Sequence, residues 1–167
     1  MTDNLLKKLY LYLDSKKPIP RFFILLLLGY LIALASSPLS LFFTTDITKN
    51  SPMEAAIDIN LLVMAVLAAP IFETFVFQYL IYDILYLKFL KRINRNWIFI
   101  LSAVLFAFNH KYNWGYIVFA FFAGLYLIIC YDYFRYARKD AFWNVVLLHA
   151  LRNLISFSII YLIKNFY

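Results

Sequence analysis

The sequence predicts an all-α fold: a polytopic transmembrane helix bundle of about five membrane helices plus an amphipathic N-terminal helix. Three observations predict it. Of 167 residues, 65% are hydrophobic and only 15% charged, whereas a soluble domain is nearer half apolar and a quarter charged. The apolar residues come in runs near the ~20 residues a helix needs to cross hydrocarbon. No run alternates as a strand does, and helices satisfy their own backbone in lipid. This composition excludes an ordinary soluble enzyme, a disordered chain and a disulfide scaffold. Cys130, the single cysteine, has no partner for an intrachain bridge and cannot build a cysteine metal cluster. Aromatics at 21% suit a lipid-facing surface with interfacial belts.

The elements follow in order. Residues 1–20 read as a basic amphipathic segment on the membrane surface. Lys7, Lys8, Lys16 and Lys17 alternate there with Leu5, Leu6, Leu9, Leu11 and Leu13, and Pro18 and Pro20 end it. Residues 21–167 form the membrane domain. Its apolar segments are 22–43 with Pro38, about 57–87 with Pro70, 97–110, 115–134 and 141–163. The third is short for a crossing. No internal repeat is evident. Ala120 and Gly124 form a small-x-x-x-small pair that suits close helix packing.

Charge sets the orientation. The net charge is +7, but the basic residues lie between apolar runs, so nucleic acid is not an expected partner. Lys7, Lys8, Lys16, Lys17, Arg21, Lys88, Lys91, Arg92, Arg95, Arg135, Arg138 and Lys139 fall on one side of the expected topology. Only Lys49, Lys111 and Lys164 fall on the other. The positive-inside rule then places the N-terminus in the cytoplasm and the 44–56 loop outside. An integral protein of the bacterial cell (inner) membrane is expected, with membrane lipid as its surroundings.

Ionisable residues at membrane depth are costly and mark function. Asp83 and Asp132 lie near Lys88 and Arg135 in sequence and read as interfacial pairs. Others lie deeper. Glu73 is ~22 Å of helix from Lys88, His110 ~22 Å from Arg95, and His149 and Asn153 ~15 and ~21 Å from Lys139. Three helices thus bring a Glu, both histidines and an Asn to similar depth. His149 and Asn153, at i and i+4, share a helix face. Isolated groups of this kind often only glue helices together; four converging at one depth point to a catalytic or ion-handling site.

These residues carry a resemblance. Ala69-Pro70-Ile71-Phe72-Glu73-Thr74 through Gln78 resembles the E-E-x-x-x-R motif of the CPBP family. That family contains CaaX-type prenyl endopeptidases and bacteriocin-processing or self-immunity proteins, also called Abi. Phe106 to His110 matches its F-x-x-x-H motif, and His149 to Asn153 its H-x-x-x-N motif. Order and spacing agree, and each motif lies on its own expected helix. Thr74 and Gln78 replace the second Glu and the Arg of the first motif. Loss of both charges together avoids a lone buried charge, so the two are expected to be a substituted support pair, hydrogen-bonded to each other or to a neighbouring helix.

The resemblance implies an intramembrane endopeptidase acting on a membrane-associated peptide or protein. In that reading Glu73 is the general base, His110 orients and activates water, and His149 and Asn153 donate to the oxyanion. The family is often described as metalloprotease. Glu73, His110 and His149 could form a His₂Glu set for zinc, and a metal-free glutamate mechanism stands equally open. A non-catalytic immunity or scaffold protein of the same fold is the alternative, and a small proton-linked transporter a third class. The chain lacks the G-x-S-G loop of rhomboid-type serine proteases and the G-x-G-D motif of aspartyl intramembrane proteases. Arg152, three residues after His149, lies near the site face and is open to three roles: neutralising Glu73, binding a substrate carboxylate, or pairing with an inner-side acid.

Overall fold

A computed structural model describes residues 2–51 and 59–166, and among them there is no strand. Six helices follow one another: α1 (Thr2–Asp14), α2 (Pro18–Phe43), α3 (Ile59–Phe89), α4 (Arg95–Asn109), α5 (Trp114–Tyr136) and α6 (Ala141–Phe166). The expected start of the second segment, near 57, lies outside the described residues. By length and composition α2, α3, α5 and α6 can each cross a membrane. The 15 residues of α4 span only ~22 Å of a ~30 Å hydrocarbon layer. The chain is a polytopic helical membrane protein.

Local chemistry sets the helix ends. Pro18, expected to close the first helix, instead opens α2 at its first turn, where its fixed φ suits a helix and its missing N–H is not needed. Asn94 caps α4 by accepting from the Asn96 N–H at 2.9 Å. Asn113 caps α5 by accepting from Tyr116 N–H at 2.8 Å. The Asp140 carboxylate accepts from Trp143 N–H at the head of α6. Arg21 turns back to donate to the Leu13 and Lys16 carbonyls at 2.9 and 2.6 Å. A cation at these carbonyls meets the negative end of α1.

Proline inside a membrane helix removes a bond that lipid cannot replace. In α2 the Leu34 carbonyl would face the missing N–H of Pro38, and Ser37 Oγ donates to it at 2.8 Å. The backbone of α3 widens to i→i+5 bonding over Met64–Ala68 and again over Thr74–Phe89, on either side of Pro70 and Glu73. Such wide turns gather at functional positions.

The core sits on α5. Just over half of its apolar stretch (56%) is buried, against 17% for α2 and α3, so α5 is the central post and the others present lipid-facing surface. Its close neighbour is α4. A Cβ on Gly124 would meet Phe106 Cβ at 2.9 Å, which accounts for the small residue there. Ala120 is buried on the same face.

Charged groups gather at one end of the bundle. Asp132, 1% exposed, accepts from Tyr10 Oη at 2.6 Å, from Arg95 Nη1 at 2.9 Å and from Tyr82 Oη. Asp83 pairs with Arg135 Nε at 3.0 Å and accepts from Tyr131 Oη at 2.7 Å. Both acids are paired as expected, but across helices rather than with the nearest base in sequence. Asp132 ties α1, α3 and α4 to α5. Asp14 pairs with Lys139 at 2.6 Å, which holds its carboxyl below the usual range.

Thr74 and Gln78 depart from expectation. Both are fully buried, and Thr74 Oγ1 and both amide atoms of Gln78 have no hydrogen-bond partner among the described residues. With i→i+5 winding, four residues no longer close one turn, so positions that pair on an α-helix are not brought together here.

Two predictions follow from these contacts. Asp132→Asn removes a buried charge opposite Arg95 and should lower stability by about 3 kcal/mol, with Tyr10→Phe costing about 1 kcal/mol. Thermal unfolding in detergent measures both, and an Asp132→Asn protein as stable as the parent contradicts the network. Conversely, Thr74→Val removes an unpartnered buried hydroxyl and should raise stability by about 1 kcal/mol. A lower melting temperature for that variant would mean that the hydroxyl is bonded in the membrane.

Candidate active site

One cavity of about 420 Å³ opens inside the bundle and is lined by Glu73, His110, His149, Arg152 and Asn153 together. Four of these are the residues that the motifs single out, and three helices deliver them. Glu73 comes from the middle of α3. His110 follows the last turn of the short α4, at its C-cap. His149 and Asn153 come from one face of α6. Thr74 and Gln78 are not among the cavity's lining residues.

Glu73, 7% exposed, is the centre. Its Oε1 lies 3.4 Å from His110 Nε2 and its Oε2 3.6 Å from His149 Nε2. The carboxylate therefore stands between two imidazoles. The His110 ring is oriented by its own helix: Nδ1 lies 2.8 Å from the Phe106 carbonyl. With the proton on Nδ1 to make that bond, Nε2 is left facing Glu73. Phe106 also packs its ring on His110, centroid to centroid 4.5 Å, and on His149 at 5.9 Å. The spacing F-x-x-x-H thus has a physical reason: the aromatic ring and its carbonyl fix the imidazole one turn later.

Asn153 answers the kink in α3. Its Nδ2 donates to the Ala65 carbonyl at 2.8 Å. In i→i+5 register that carbonyl belongs to the N–H of residue 70, and Pro70 has none. The amide of α6 supplies the missing donor. One N–H of the amide is used there, and an NH₂ group carries two, so a second remains for the cavity.

Sequence reasoning missed the aromatic side of the site. Tyr116 stacks on His110 at 6.0 Å with planes 15° apart, and Tyr112 meets the same ring edge-on at 6.3 Å. Burial, with the Glu73 charge nearby, raises the Tyr112 phenol above its usual value. The signal was available, since Tyr112 and Tyr116 follow His110 at two and six residues. Ile47 and Thr48 also line the cavity, held by Asn113 Nδ2, which donates to the Ile47 and Lys49 carbonyls. Nothing in their sequence marks them. Phe157 separates the cavity from an apolar groove of about 430 Å³ between α3 and the far half of α6.

A metal would need its ligands to face one point. Here the two rings address opposite oxygens of one carboxylate, and no group of three His, Cys, Asp or Glu side chains among the described residues is arranged to hold a metal ion. The donor set, as arranged here, does not fit a zinc centre.

Comparison with known proteins agrees with the motif reading. Neither the curated proteins nor the solved structures yield a match. A family model described as Type II CAAX prenyl endopeptidase Rce1-like matches residues 55–155, a stretch that takes in α3, α4, α5 and the half of α6 that bears His149 and Asn153. The match covers more than half of the chain and every residue assembled around the cavity apart from the 47–48 turn and the far end of α6, and the protein belongs to the Rce1-like family of type II CAAX prenyl endopeptidases.

Proposed function

We propose that this membrane protein is an intramembrane endopeptidase that hydrolyses a peptide bond of a membrane-associated peptide or protein, with Glu73 as general base. The observation that carries the reading is the Glu73 carboxylate set between His110 and His149 in a cavity with largely apolar walls. Family membership supports the reaction class.

The residues divide the chemistry as follows. Glu73 takes a proton from water as the water oxygen attacks the scissile carbonyl carbon. His110, fixed through Nδ1, presents Nε2 to the attacking water and orients it. The carbonyl oxygen becomes an oxyanion and receives hydrogen bonds from His149 and from the free N–H of Asn153. Glu73 then returns its proton to the amide nitrogen as the C–N bond breaks. The low-dielectric surroundings strengthen each of these contacts. Apolar walls, and the groove beyond Phe157, suit a substrate that arrives through the lipid.

A second reading has its own observation. Thr74 and Gln78 stand unbonded where the first motif usually carries charge, and this favours a non-catalytic scaffold or immunity protein on the same fold. Residues 1–20 are proposed to lie on the cytoplasmic surface, with the basic end of the bundle inside the cell.

Two measurements test this reading. Glu73→Gln should abolish turnover, and Asn153→Ala should lower it 10²- to 10³-fold. Comparative proteomics of membrane peptides from cells with parent and Glu73→Gln protein reads both the loss and the substrate, and identical peptide profiles would favour the scaffold. For topology, Arg92→Cys should resist an impermeant thiol reagent added to intact cells while Lys49→Cys reacts. Labelling of Arg92→Cys from outside would invert the orientation.

A further inference from the structure

Asp14, Asp83 and Asp132 at the basic end are each paired with a cation, but the cavity wall carries a cation, Arg152, with no ion-pair partner among the described residues. Arg152 is nine-tenths buried, within a membrane-spanning helix. Its Nε has no hydrogen-bond partner, and it forms no ion pair with a described residue. A buried guanidinium at this depth is costly unless paired. Arg152 does not neutralise Glu73 by contact, because among the described residues Glu73 meets only the two imidazoles within ion-pair distance. An inner-side acid does not hold it either, since Asp83 and Asp132 are taken by Arg135 and Arg95.

The side chain is nevertheless held in place. Its guanidinium carbon lies 5.1 Å from the Tyr126 ring centroid and 5.9 Å from that of Tyr30. Tyr30 Oη donates to the Arg152 carbonyl at 2.9 Å. Gly29 of α2 leaves the room: a Cβ there would meet Tyr126 at 2.8 Å and the Arg152 stem at 3.2 Å. Two aromatic faces and one missing side chain thus position a buried guanidinium at the cavity wall. Ring faces attract a cation but offer no oxygen to its N–H groups. A planar guanidinium matches a carboxylate in a bidentate fork. On helix α6 Arg152 is three residues past His149, ~5 Å along the axis.

We propose that Arg152 is a substrate-binding residue that receives a peptide carboxylate, at the C-terminus or on an acidic side chain, within about one helical turn of the bond addressed by Glu73. The proposal rests on the peptidase reading of the cavity. The carboxylate supplies a counter-charge that no described residue gives Arg152, so a substrate bearing one is held in register and a neutral peptide is not.

The test is a binding measurement on the full chain in detergent, made with the Glu73→Gln protein so that nothing is cleaved. The probes are fluorescent pools of apolar hexapeptides with a free C-terminal carboxylate, the same peptides as C-terminal amides, and amides carrying one internal Asp. Fluorescence anisotropy should show at least one of the two acidic pools binding about tenfold or more tighter than the plain amide. Which pool does so distinguishes the terminal from the side-chain carboxylate. Arg152→Gln should bring the pools level. Equal affinity for all three pools, no binding of either acid, or a preference that survives Arg152→Gln overturns the proposal. The comparison among peptides needs no Arg152 variant, so a poorly folding substitution does not blunt it. If carboxylate preference depends on Arg152 while the parent protein cleaves nothing, the peptidase reading fails and the carboxylate site stands.

Discussion

The hydrogen bond from Asn153 to the Ala65 carbonyl joins α6 to α3 where Pro70 leaves the backbone short of a donor. In water such a gap would be filled by solvent. In hydrocarbon it must be filled by the protein, at a cost of several kcal/mol if it is not. The rest of the site depends on that junction. Glu73 follows Pro70 by three residues, and His149 precedes Asn153 by one turn. Fixing Asn153 against Ala65 therefore sets a carboxylate and an imidazole opposite each other. The same amide that repairs the backbone keeps a second N–H for the cavity.

Two layers of polar groups serve different ends. At the basic end, Asp132 is answered by a guanidinium and two phenols, and Asp83 by a guanidinium and one phenol. These acids are neutralised and bind helices together; removing a member leaves a buried charge exposed to loss. In the cavity the matching is incomplete. Glu73 faces imidazoles rather than a guanidinium. Arg152 faces rings rather than a carboxylate. Incomplete matching of this kind is characteristic of sites built to act on something that is absent until it binds.

Support for the cavity comes from packing that touches no substrate. Gly124 lets α5 approach Phe106, whose ring and carbonyl orient His110. Gly29 does the corresponding service for Arg152 through Tyr126. Of the chain's three glycines, two stand where a Cβ would displace a side chain that holds a group of the cavity. Both are positions of close approach rather than of unusual backbone, since no glycine has positive φ.

The sequence by itself determined the class of fold and the helix order, and it singled out four residues that line one cavity. Hydropathy and the absence of alternation suffice for the first two, because lipid admits few backbone solutions. The depth argument brought Glu73, His110, His149 and Asn153 together, and they line one cavity, because ionisable groups inside apolar runs have few reasons to be there. Tertiary structure alone decided which partner each polar group meets. Asp83 and Asp132 pair across helices, since the packed neighbour on another helix lies nearer than the base a turn away in sequence. Thr74 and Gln78 fail to pair because α3 is wound in i→i+5 register, which the i, i+4 spacing does not reveal. Arg152 was legible as a basic residue near the site, but only the packing of α2 and α5 around it shows that it meets two aromatic rings and forms no ion pair among the described residues.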